Sequence, residues 1–61
     1  MSETLKMIVD SNTNGQVTQM IALIKEHGKY ATAVDLTLAV KEGLVSDADS
    51  FNILRKYMMY G

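Results

Sequence analysis

His27 is the only imidazole in the chain, and imidazole is the side chain most often used as a general base. In that role it needs an orienting partner and a nucleophile or a substrate groove. Its neighbours in the chain are Glu26 and Gly28, and neither is a nucleophile. The plainer reading is a cation in the last turn of a helix, beside the glycine that ends it. Asp35 is the one charge between Tyr30 and Val40. Buried, it would need a cation or hydrogen-bond donors and would act as a specificity device or partner hot spot. Its spacing with Thr32 and Glu42 is helical, so the three are expected to form the strip of their helix that meets water.

Asp47 and Asp49 suggest a metal ligand pair or an acid–base pair. Two residues apart at a helix start, they point in different directions, and capping accounts for them better. Gly15, Gly28 and Gly43 are isolated, and neither GxGxxG nor GxxxxGK[ST] occurs. One His and no Cys give no metal cage and no disulfide. No catalytic, metal or cofactor residue is assigned, so the chain reads as a non-enzyme without cofactor or small-molecule substrate.

The elements that carry these residues belong to a short chain. At 61 residues it amounts to one domain, residues 1–61. A chain of this size hides only about 60% of its unfolded surface. Without disulfides or metals, oligomerisation is the remaining aid, and a homodimer is expected. The hydrophobic content of 48% is that of a globular protein. Six basic and seven acidic residues leave a net charge of −1, without the basic excess usual in nucleic-acid binders. No run of 18 apolar residues occurs, so no membrane span is expected. The polar start MSETLK has no apolar signal core, which implies a cytoplasmic, intracellular protein.

The patterning predicts an all-α fold, a small bundle of three to four short helices. The first runs from Ser2, an N-cap, to about Ser11, with Leu5, Ile8 and Val9 on one stripe. The cluster DSNTNG reads as a turn. Thr13 and Gln16 then read as a capping box, with Asn14 as the competing cap. The second helix is expected at about 14 to 27. Val17, Met20, Ile21 and Ile24 give it the clearest amphipathic stripe in the chain, and Gly28 a left-handed C-cap. The third, about residues 29–42, is apolar nearly all round and ends at Gly43. Helices of that kind are wrapped by others, so it is expected at the centre of the bundle. Tyr30, Ala33, Val34, Thr37 and Leu38 form its main stripe, and Leu38→Ala is expected to cost about 2–5 kcal/mol. Its β-branched Thr32, Val34, Thr37 and Val40 keep a strand as the alternative. The fourth is capped by Ser46 with Asp49 and carries two neighbouring stripes, Phe51–Leu54–Met58 and Ile53–Tyr57–Tyr60. Asp49, Asn52 and Lys56 form its polar face.

The end of this last helix carries the expected working surface. Tyr57, Met58, Met59 and Tyr60 are consecutive large side chains, and successive helical residues diverge by about 100°. Some must face outward, and large exposed apolar patches mark interfaces. The candidate protein-interaction residues are Phe51, Leu54, Tyr57, Met58, Met59 and Tyr60. The expected function is a homodimeric interaction module that binds itself and a second, unidentified protein as a regulator, adaptor or inhibitor. Small accessory proteins of phages are an analogy in size and composition only. The alternative is a helix-turn-helix DNA-binding regulator turning at Gly43. Ala39, Leu38 and Leu44 fit that motif. Glu42, Asp49 and Asn52 do not, and Asp47 and Asp49 would repel phosphates where the second helix should approach them.

Overall fold

Ser2 opens the first helix, α1 (Glu3–Thr13), by accepting the Leu5 N–H on its hydroxyl at 3.1 Å, with Glu3 at the positive end of the dipole. The computed structural model describes residues 1–61. Three further helices follow: α2 (Val17–His27), α3 (Lys29–Lys41) and α4 (Asp47–Tyr60). The chain is thus all-helical, and the strand considered for Thr32–Val40 does not form.

The boundary between α1 and α2 differs from the expected one. Ser11, Asn12 and Thr13 continue α1 instead of turning. Thr13 does not cap α2; its hydroxyl donates back to the Val9 carbonyl at 3.1 Å. Asn12 also has a tertiary partner, its Oδ1 accepting from Lys56 Nζ of α4 at 3.0 Å. The turn is compressed into Asn14–Gln16. Gly15, at φ +71°, lets the Gln16 N–H reach the Ser11 carbonyl (2.9 Å) and its own N–H reach Asn12 (3.2 Å). That is a Schellman ending, and it moves the start of α2 from 14 to 17. The same pattern closes α3 through Gly43, with Leu44 N–H on the Ala39 carbonyl at 2.8 Å.

Gly28 alone joins α2 to α3. At φ +102° and ψ 132° it is not the left-handed helical cap expected of it but a more extended, positive-φ conformation. Its N–H closes α2 on the Ile24 carbonyl at 2.7 Å. Its own carbonyl opens α3, accepting the Thr32 N–H (2.9 Å) and the Thr32 hydroxyl (2.8 Å). One residue thus ends one helix and begins the next. At the other junction Ser46 caps α4 as expected, accepting from Asp49 N–H at 3.1 Å.

The buried apolar cluster is Leu5 and Ile8 of α1, Met20, Ile21 and Ile24 of α2, Leu36 and Ala39 of α3, Val45 of the loop, and Ile53 of α4. α1 and α2 supply most of it and form the most extensive helix pair. The radius of gyration of 10.0 Å is close to the value of about 10.5 Å expected for a folded chain of this length. No helix is long and apolar enough to cross a membrane.

The expected placement of α3 needs correction. Other helices do not wrap it. Its buried line is Thr32, Leu36 and Ala39, whereas Tyr30, Val34 and Leu38 stand exposed, Tyr30 at 78%. Thr32, assigned above to the water-facing strip, is fully buried. Its hydroxyl is spent on the Gly28 carbonyl one turn back, so the side chain packs as a β-branched apolar group with no unsatisfied donor. Thr37 back-bonds to the Ala33 carbonyl in the same way, at 2.8 Å, on the exposed side.

Candidate interaction surface

α4 has the same kind of inversion as α3. Ile53 is its one fully buried side chain, and Leu54 and Tyr57 pack beside it against the core. The residues expected to form its polar face turn partly inward. Asp49, Asn52 and Lys56 are half-buried, and the Lys56 ammonium ends on Asn12 of α1. A lysine can do this because its methylene stem packs while its head finds an acceptor. The opposite side of the helix carries Ala48, Phe51, Arg55, Met58 and Met59, all exposed, with Met58 at 84%. Arg55 spans two of its neighbours, with Nη2 donating to Asn52 Oδ1 (3.3 Å) and Nη1 lying 3.5 Å from Met59 Sδ.

The six residues singled out from the sequence therefore separate into three groups. Phe51, Met58 and Met59 lie on the outward face. Leu54 and Tyr57 belong mostly to the packing of α4 on the bundle. Tyr60 lies seven residues after Ile53, on the same side of the helix, yet is exposed because the bundle ends before it. The sequence shows two neighbouring stripes, Phe51–Leu54–Met58 and Ile53–Tyr57–Tyr60. The structure buries the second at Ile53 and Tyr57.

Sequence reasoning missed the outward face of α3. Tyr30, Val34 and Leu38 recur every fourth residue and are exposed, and Val34 and Leu38 line a shallow open depression with Ala33 and Thr37. The Lys29 ammonium sits 5.2 Å from the centre of the Tyr30 ring, at cation–π distance. The signal was present, since this is the stripe assigned above to the core. Only its direction was misread.

His27 and Asp35 were read apart and are found together. Asp35 Oδ2 accepts from His27 Nε2 at 2.8 Å across the Gly28 corner. The side chains are 25% and 34% exposed, so neither the lone helix-end cation nor the water-facing carboxylate describes them. An imidazole oriented by a carboxylate is part of a nucleophilic triad, but a triad also needs a nucleophile on the remaining ring nitrogen. His27 makes no other side-chain hydrogen bond. The pair is a latch between the middle of α3 and the end of α2. Asp35 also borders a cleft of about 190 Å³ with Met1, Leu5, Leu38, Glu42 and Leu44. That volume is below the roughly 300–1,000 Å³ of ligand pockets, while His27 borders a larger open groove of about 340 Å³ with Thr4, Met7, Leu23 and Glu26. No three His, Cys, Asp or Glu side chains gather at one place.

No family model, curated protein or solved structure matches the chain. Its candidate site is thus defined by its own geometry, two outward apolar faces on consecutive helices.

Proposed function

We propose that the protein is a small, non-enzymatic interaction module of the cytoplasm, homodimeric, that regulates, adapts or inhibits a second protein. The observation that carries this reading is the pair of exposed apolar faces, Tyr30–Val34–Leu38 on α3 and Phe51–Met58–Met59 on α4. Large side chains are exposed there while polar ones are drawn inward on α4, a distribution that suits burial against another protein. Met and Tyr are enriched in such contacts, and Met adapts to varied partners. In this reading α3 becomes the enclosed, central helix only when a partner covers its outward face. Native mass spectrometry of the full chain tests the homodimer. A dimeric mass is expected at micromolar protein, and a monomer throughout the accessible concentration range would defeat it.

A further inference from the structure

We infer that two copies of the chain pair through the outward face of α4, with the two α4 helices antiparallel about a twofold axis opposite Ile53. The inference rests on the homodimeric reading above and names its surface. Ala48, Phe51, Arg55 and Met58 follow one another at spacings of three, four and three, the rhythm of a coiled-coil seam. Ile53, on the far side of the helix, is fully buried in the core, so the seam points away from the bundle. All of its members are exposed.

The seam is complementary to itself in one direction only. With the axis at residue 53, Ala48 faces Met58 of the second copy, a small residue against a large one. Phe51 faces Arg55 of the second copy, a ring against a guanidinium, which is a favourable cation–π arrangement. The same Arg55 then lies about one helical turn from Asp47, within reach of its long side chain. A parallel pair would instead set Arg55 against Arg55 and Asp47 against Asp47. Twofold pairing uses each contact twice and closes, so no open chain of molecules results.

The outward face of α3 is the competing surface and is less suited to self-pairing. Lys41 lies on the same side of α3 as Tyr30, Val34 and Leu38, and at the other end the Lys29 ammonium reaches over the Tyr30 ring. Antiparallel α3 helices would bring Lys29 to Lys41, and parallel ones would bring like residues together. Either arrangement opposes like charges, which disfavours the second copy there.

Two measurements on the full chain test the inference. In sedimentation equilibrium, Phe51→Arg should weaken the dimer at least about tenfold, since it sets arginine against arginine twice. The double variant Phe51→Arg/Arg55→Phe restores ring against guanidinium and should recover the wild-type constant. Circular dichroism should show unchanged helicity in both, because the two positions are exposed. The chain has no cysteine, so introduced thiols report cleanly. Ala48→Cys/Met58→Cys should form a covalent dimer on mild oxidation. Residues ten apart in one helix are about 15 Å apart, too far for an intrachain disulfide. Ala48→Cys alone should stay uncrosslinked. A dimer that ignores Phe51→Arg and is lost in Val34→Asp would overturn the α4 pairing and leave the homodimer standing, as would efficient crosslinking by Ala48→Cys alone. A wild type that never dimerises would overturn both.

Discussion

Along α2, Met20, Ile21 and Ile24 turn inward while Thr18, Gln19, Lys25 and Glu26 turn to water. Along α4, Ile53 turns inward with Asn52 and Lys56 drawn partly after it, while Phe51, Met58 and Met59 face out. α2 closes on Gly28 without a side-chain N-cap and α4 is capped by Ser46, and both pack on the same core. They differ in how their apolar residues are spent. α2 has one apolar stripe and buries it, so its outer surface needs no partner. α4 carries more apolar side chains than one contact face can absorb. The bundle takes the set around Ile53 and leaves the other uncovered. The first two helices supply most of the buried core, and the last two carry the exposed apolar faces.

Mutations at buried and exposed apolar positions can break or sharpen that contrast. The largest effect is expected at Ile24→Ala, which empties a fully buried site between helices and should cost about 2–5 kcal/mol. Leu38→Ala is the matched control. At 51% exposure it should cost about 1 kcal/mol or less, not the larger loss its place in the sequence stripe implied. Urea unfolding at concentrations where the protein is monomeric measures both. Equal losses would mean that α3 is enclosed after all.

Next in size is the corner between the two halves. Gly28→Ala meets only Ala31 Cβ, at 3.9 Å, so space is not the obstacle. Its φ of +102° is, and holding an L-residue there should cost about 1–3 kcal/mol. A thermal melt within a degree or two of wild type would show that the corner relaxes freely.

The smallest effect is expected at the His27–Asp35 latch. With both side chains a quarter to a third exposed, solvent and salt screen the pair. A double-mutant cycle with His27→Ala and Asp35→Ala should give a coupling of about 0.2–1 kcal/mol that shrinks as salt is raised. A coupling well above that range would point to a role beyond joining α2 to α3.

Much of this architecture was legible residue by residue. Ser2 and Ser46 announced two helix starts, and Gly28 and Gly43 two helix ends, because caps are local chemistry that a few neighbouring residues decide. The core of α1 and α2 was legible because apolar and polar residues alternate there with the helical period, so one face has no competitor. The end of α1 was not, since within the run DSNTNG every residue favours a turn, and the chain turns only at Gly15 while Asn12 meets Lys56, a residue far along the chain. His27 and Asp35 were not, since eight residues separate two side chains that only the Gly28 corner brings within 2.8 Å. Residue types and spacings alone determined that this chain is helical, where most helices begin and end, and that its C-terminal helix has apolar residues to spare. Only the tertiary structure decided which way α3 and α4 face. When a helix is apolar on several sides, its own periodicity points nowhere, and its orientation is settled by the space its neighbours leave: here a slot that takes Thr32, Leu36, Ala39 and Ile53 and leaves Tyr30, Leu38, Phe51 and Met58 outside.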